Sequence, residues 1–288
     1  MNLPMLRTLL PLLLLAAMAL GCGSSAPVSR GENFAYLYGK RSMGLRLDAR
    51  VHHAAPGNSV IYFKLNTADL LYKSGGQGAP FRAQVQVRYT AYAGWDMITV
   101  LDSAATIVRD QSEQPNENKE LIGTLPIRGD IQTDHVLLIQ ARDLNRDVEA
   151  ALTIAVHRAP GGRQDFLPLD AAGLPLFDDH VEPGTTLTLR CDQHAGKQLH
   201  VDRYAPKRAL PRPIFADSGT PKDVQPDSSY TVQVDQQGRT TLTLGDAGFL
   251  HVRADTTATQ GYTVFALDES YPFVESGTDL VGPLRYIT

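Results

Sequence analysis

Two groups of side chains in this sequence carry the residue types from which metal and acid–base sites are made. His200 and Asp202 are two apart, so on a strand they point the same way, and Asp192 and His194 lie close by in sequence. Asp178-Asp179-His180 forms the second group, and His52-His53 is a smaller pair of the same kind. Imidazole nitrogens and carboxylate oxygens hold a divalent ion when their lone pairs converge. The spacing here permits convergence without requiring it, because the chain has no HExxH, no paired-cysteine motif and no calcium-loop pattern. Outward His and Asp on an antiparallel sheet ordinarily face water. Asp178 and Asp179 read as loop acids, since a glycosidase needs carboxylates opposed across a cleft. No metal and no cofactor is therefore expected.

Other chemistries find less. No GxSxG elbow holds a serine near a base, no glycine-rich phosphate loop precedes a Lys-Ser or Lys-Thr pair, and no GxGxxG opens a helix, so nothing points to a nucleotide. The chain has 27 Lys+Arg against 31 Asp+Glu, a net charge of −4, with the bases scattered singly among acids. That balance argues against nucleic acid, whose binders carry a basic stripe. Tyr89, Tyr92 and Trp95 are the candidates for a sugar-stacking platform. Strand parity divides them, putting Tyr89 with the apolar set and Tyr92 with the polar one. Gly94-Trp95-Asp96 is a turn, and Trp95 is expected as a buried corner aromatic. Cys191 follows Leu187 and Leu189 on one face of a strand, which makes it a core residue rather than a nucleophile.

Period-two patterns recur through the chain and a sustained 3.6 period does not, so the fold class is all-β. The clearest strand is Phe81 to Ala93, with Phe81, Ala83, Val85, Val87, Tyr89, Ala91 and Ala93 on one side and polar residues on the other. Further strands are expected at Gly44–His53, Ser59–Leu65, Ile98–Asp110, Leu121–Arg128, His135–Arg142 and Glu149–Arg158, which together make a β-sandwich spanning 33–158. Ala159-Pro160-Gly161-Gly162 is a break. Beyond it a second sandwich over 163–270 is expected from strands at Gln164–Leu169, Leu174–Phe177, Thr185–Cys191, Leu199–Tyr204, Tyr230–Asp235, Thr240–Leu244, Phe249–Asp255 and Tyr262–Asp268. Pro183–Leu189 and Gly248–Ala254 resemble strands of immunoglobulin-like modules on secreted bacterial proteins. The proline-rich stretch Ala205–Ser229 reads as a long connection.

The ends place the protein. Arg7 precedes the apolar run Leu9–Leu20, which is too short to span a bilayer, since a helix needs roughly 20 residues to do so; residues 1–21 read as an export signal. Ala19-Leu20-Gly21-Cys22 resembles the bacterial lipobox, which makes Cys22 the lipidated mature N-terminus and 22–32 a polar tether to the membrane. With Cys22 acylated, Cys191 has no disulfide partner. Gly23 after the lipidated Cys suits the outer membrane. At the other end Thr278-Asp279-Leu280 opens a turn, and Leu280, Val281, Leu284, Tyr286 and Ile287 form an apolar stub, so 271–288 is expected to be a connector toward a further C-terminal module.

Tyr36-Leu37-Tyr38-Gly39-Lys40, the stretch Ile61 to Lys73, Pro80-Phe81-Arg82-Ala83 and above all Leu280-Val281-Gly282-Pro283-Leu284-Arg285-Tyr286-Ile287-Thr288 resemble the GWxTD domain-containing bacterial lipoproteins. The resemblance implies the N-terminal β part of a longer protein. In that family a PLRYIT-like stretch leads into a helical module bearing the naming motif, which Gly94-Trp95-Asp96-Met97-Ile98 is not. It transfers no reaction and no catalytic residue. The expected function is non-enzymatic, a lipid-anchored cell-envelope protein that contacts another envelope protein; the alternative is a polysaccharide- or peptidoglycan-binding accessory module. A Cys22→Ala variant is expected to leave the membrane fraction for the soluble one on fractionation, and a variant that stays membrane-bound would contradict the anchor.

Overall fold

The computed structural model describes residues 44–55, 57–74, 76, 79–113, 118–129, 131–205, 225–258 and 260–267. The signal run 1–21, Cys22 and the tether 22–32, residues 33–43, most of the proline-rich connection, Asp268 and the 271–288 connector lie outside the described residues, as do Tyr36–Lys40 and Leu280–Thr288. Among the described residues no helix is long and apolar enough to cross a membrane. The regular structure of the described chain is strand, apart from three short 3-10 turns.

The first half contains β1 (Leu47–Ala55), β2 (Asn58–Asn66), β3 (Lys73–Ser74), β4 (Phe81–Tyr92), β5 (Val100–Ser112), β6 (Glu120–Ile127), β7 (His135–Asp143) and β8 (Val148–Val156). They form a sheet of order β1-β2-β6 and a five-stranded sheet in which β4 pairs β3, β5 and β7, and β7 pairs β8, all antiparallel. The alternation of β4 decides the inner face: Ala83, Val85, Val87, Tyr89 and Ala91 are buried against Ile61, Phe63 and Leu65 of β2 and Leu137 and Ile139 of β7. The Tyr89 hydroxyl donates to Asp102 Oδ2 at 2.5 Å and lies 3.0 Å from the Pro126 carbonyl, placing it between a strand of each sheet. Burial and the Asp102 carboxylate push its pKa up, so it stays a donor. Gly123 sits opposite Phe63 in the ladder, and a Cβ there would lie 2.3 Å from the Phe63 ring. The ring fills the space that a side chain at 123 would need.

The second half contains β9 (Leu167–Leu169), β10 (His180–Val181), β11 (Thr186–Arg190), β12 (Gln198–Tyr204), β13 (Ser228–Gln233), β14 (Arg239–Thr243), β15 (Gly248–Arg253) and β16 (Tyr262–Ala266). Its sheets have the orders β14-β11-β9 and β10-β16-β15-β12-β13, with the short β10–β16 pair parallel and the others antiparallel. Phe166, Leu187, Leu189, Cys191, Leu199, Val201, Val252, Tyr262 and Val264 form its core. Cys191 is fully buried there, and burial pushes its thiol up to about 12, so at neutral pH it is a small apolar side chain and not a thiolate.

Two of the expected strands take other forms. Gln164–Leu169 is divided into a 3-10 turn, Arg163–Asp165, and the three-residue β9. Asp165 folds its carboxylate back onto the Gly161 amide at 2.6 Å, a local bond that competes with strand pairing. Leu174–Phe177 makes only a single bridge, from Leu169 to Pro175. Asp170 Oδ1 accepts from the Ala172 and Leu174 amides at 2.8 Å each, closing a turn, and Pro175 has no N–H with which to extend a ladder. The two-residue β3 and β10 have no period to be read.

Gly123→Ala is expected to lower unfolding stability by about 1–3 kcal/mol through overpacking against Phe63. In a Phe63→Leu background the same change should cost less, which a urea-unfolding double-mutant cycle measures.

Candidate functional site

The end of β1 is covered on two sides. Val51, His52 and His53 are all buried, which breaks the alternation a half-exposed strand shows. One side meets the core of the first sandwich and the other meets the second sandwich. His52 makes hydrogen bonds to the Gln164 carbonyl and to Asp192 Oδ2, both at 3.2 Å. His53 is held by Ser59 Oγ at 2.7 Å and the His157 carbonyl at 3.0 Å. Arg50 donates to Asp179 Oδ1 at 2.5 Å and lies over the Tyr262 ring, while Arg163 donates to the other Asp179 oxygen. Gln193 adds bonds to the His53 carbonyl and to Asp165, and Lys64 lies over the Phe177 ring.

These contacts correct two expectations. His52 and His53 do not face water, and Asp179, though it lies in the loop before β10, is not simply solvated but is the carboxylate that two arginines share. Period-two reading sees one strand and its own sheet, whereas these side chains are enclosed by a neighbour more than a hundred residues away. Burial, the largest single influence, would lower the pKa of Arg50, but the charge and hydrogen-bonding effects of Asp179 and Tyr262 together outweigh it and the guanidinium is held above its usual value. Burial works against the Asp192 carboxylate too, yet hydrogen bonds from His52 and Arg190 keep it below the usual range. Burial pushes His53 and His135 down, so both are neutral near pH 7.

His200 and Asp202 are brought together, as their parity requires, and by more than parity shows. Asp202 Oδ1 accepts from Ser229 Oγ at 2.6 Å and lies 2.9 Å from His200 Nε2, while Oδ2 accepts from Arg253 at 2.5 Å. The carboxylate is buried rather than outward in water, because His200 and Arg253 lie over it from β12 and β15. With its lone pairs engaged by three donors it has little left to offer an ion. The order is also wrong for nucleophilic catalysis, which places a histidine between serine and carboxylate; here the carboxylate stands between them. His180 lies 3.2 Å from Asp178 at the other edge of the same sheet. Among the described residues no three His, Cys, Asp or Glu side chains come together to hold a metal.

The same outer face carries a row of rings the sequence reading missed. Tyr204, Phe249, Phe265 and His180 sit opposite one another on β12, β15, β16 and β10, with centroids 4.6, 5.7 and 5.1 Å apart in that order. The first and last of these pairs are stacked, so their ring faces are spent on one another. Such a ladder stabilises a sheet and offers a sugar little open π surface. Its signal in the sequence is one aromatic near each strand end, legible only once the register is known.

Trp95 is the clearest departure from expectation. It is 67% exposed, and Ile98 and Val100 beside it are 77% and 56% exposed. The β4–β5 ladder runs to its last pair at Tyr92 and Val100, and the residues between form a closed tip. The Ala93 amide donates to the Thr99 carbonyl at 2.9 Å, the Met97 amide to Gly94 at 3.1 Å, and the Ile98 amide to Asp96 Oδ1 at 3.3 Å. Met97 has φ of 52°, a left-handed conformation that costs an L residue about 1 kcal/mol. Among the described residues the second sandwich meets β1 and, through Gln164, the Ala155 carbonyl of β8, whereas the tip joins β4 to β5, at the other edge of the sheet order β5-β4-β7-β8.

No family model matches the chain, and no curated protein matches it. Among solved structures it is similar to red sea bream transglutaminase, at 12% identity and TM-score 0.25 over 84% of this chain and 34% of that one, so it spans about a third of that protein's length. The major pilin subunit BcpA of Bacillus cereus gives 10% identity and TM-score 0.22 over 78% and 64%. The group B streptococcus pilus 2b backbone protein gives 8% and 0.19 over 81% and 93%. Superpositions this loose carry no activity across to this chain.

Acidification is expected to destabilise the fold. With His53 and His135 depressed, the unfolded chain takes up their protons first. Their contribution is complete above about pH 6.5 and is lost as pH falls toward the folded values, at up to about 1.4 kcal/mol per pH unit for each. The depressed Asp192 and Asp202 carboxyls add their loss at lower pH, below the ordinary carboxylate value. Urea unfolding from pH 8 to pH 4 measures this, and stability that rises on acidification would contradict the assignment.

Proposed function

We propose that this chain is a non-enzymatic, lipid-anchored protein of the bacterial cell envelope that works by holding an apolar hairpin tip against another envelope protein. The observation that carries the reading is the tip itself: Trp95, Ile98 and Val100 stand largely exposed together on a turn closed by its own hydrogen bonds. Grouped apolar side chains in water are unfavourable unless something covers them. A large aromatic on a pre-ordered loop gives much contact area with little ordering cost, as at the centres of protein interfaces. The interlocked sandwiches support the reading by giving the tip a rigid base.

The anchor belongs to the same proposal. Cys22 carries the lipid, residues 22–32 are the tether, and the sorting residue Gly23 favours the outer membrane. The likeness to the GWxTD lipoproteins stands in support, with 33–158 and 163–270 as the two sandwich domains and 271–288 leading toward a further module.

A photocrosslinking side chain in place of Ile98, in the full chain in intact cells, is expected to give a discrete protein adduct that weakens about tenfold or more when Trp95→Asp is added. The same crosslinker at Arg239, on the other sandwich, serves as the comparison. Adducts only to lipid, or an adduct indifferent to Trp95→Asp, would overturn the reading.

A further inference from the structure

The five-stranded sheet of the first sandwich turns its inner face to the core and its other face outward, and that outward face is cationic in a chain whose net charge is −4. Residues directly opposite each other in an antiparallel ladder share a face. Register therefore sets Lys73 beside Arg82, Arg82 beside Gln111, and Gln84 beside Arg109. The next row across four strands is Ile107, Gln86, Arg142 and Glu149, and the one after it is Ala105, Arg88, Gln140 and Ala151. The rows so placed hold five cations, Lys73, Arg82, Arg88, Arg109 and Arg142, and one carboxylate, Glu149, with Asp147 beside them paired to Arg142 at 2.8 Å. Lys73, Arg82 and Arg109 are exposed and have no carboxylate partner among the described residues.

The face is also ordered. Arg88 Nε donates to Gln140 Oε1 at 2.9 Å, and Gln140 Nε2 donates to Glu149 Oε1 at 2.5 Å, laying planar groups along the sheet. Gln86, Arg88, Gln140, Arg142 and Glu149 line a shallow depression there. Guanidinium forks match carboxylates, and amides, being donor and acceptor at once, match hydroxyls.

We propose that this face binds an acidic polysaccharide, its carboxylates on the arginines and its hydroxyls on the glutamine amides, independently of the hairpin tip. The charge is complementary to a polyanion, and the surface is flat and strip-like as a linear chain requires. The two central rows carry no aromatic ring, which a single-stranded nucleic acid needs for base stacking. Their one large apolar side chain is Ile107, too little to seat in a lipid interface.

Affinity electrophoresis of the full chain in mild detergent tests it. Polygalacturonate in the gel is expected to retard the protein and neutral dextran is not, with retardation weakening as salt rises. Arg88→Gln with Arg109→Gln should weaken binding by about tenfold or more, while Arg239→Gln on the other sandwich leaves it unchanged. Equal melting temperatures for the variants keep folding out of the comparison. The proposal fails if polygalacturonate does not retard the chain, if the paired arginine variant binds as well as the unaltered chain, or if oligo-dT or anionic phospholipid vesicles bind as tightly and lose binding with the same variants.

Discussion

The Asp179 carboxylate is shared between Arg50, from the first sandwich, and Arg163, at the start of the second. Removing a guanidinium and a carboxylate from water costs several kcal/mol per ion, and their attraction offsets this only when the geometry is close and remaining donors are met. Here both Asp179 oxygens are taken by guanidiniums, and at the same joint His52 is bonded to Asp192 and to the Gln164 carbonyl, while Arg50 Nη1 is buried without a hydrogen-bond partner among the described residues. A different docking of the two sandwiches would take from the Arg50 charge and the His52 imidazole the partners that the second sandwich supplies. The arrangement therefore selects one docking, and the outward faces are carried on a single frame.

That frame explains why the chemically suggestive residues are not the exposed ones. At the joint and beneath His200 and Arg253, where strands are covered twice, the buried His52, His53, Asp165 and Asp202 each answer another group of the same protein. A carboxylate with three donors already in place has little capacity left for catalysis. Among the described residues, the exposed side chains are apolar at the β4–β5 tip and planar and polar on the sheet behind it. The tip holds Met97 in a left-handed conformation, a small backbone strain of the kind that persists where the surrounding turn dictates it.

Most strands were legible because burial on one face and water on the other imprints a period of two, and β4 and β7 follow it closely. The joint left no such imprint. His52 and His53 sit in a strand that reads like its neighbours, and only the second sandwich makes them interior. Trp95 departs from expectation for the complementary reason: an aromatic at a strand corner is usually roofed by another element, and the described contacts of the second sandwich fall on β1 and on Ala155 of β8. The ring ladder and the arginine rows were invisible because both are properties of register between strands far apart in the chain.

The sequence by itself determined that this chain builds strands, which side of each strand is greasy, and that Cys191 belongs inside. These are local consequences of side-chain alternation and of the cost of leaving apolar surface in water. Only the tertiary structure decided which polar residues would be sealed in a joint and which side chains would stand on open faces. That choice depends on strand register and domain docking, where a buried charge is tolerated or excluded according to partners supplied by distant parts of the chain.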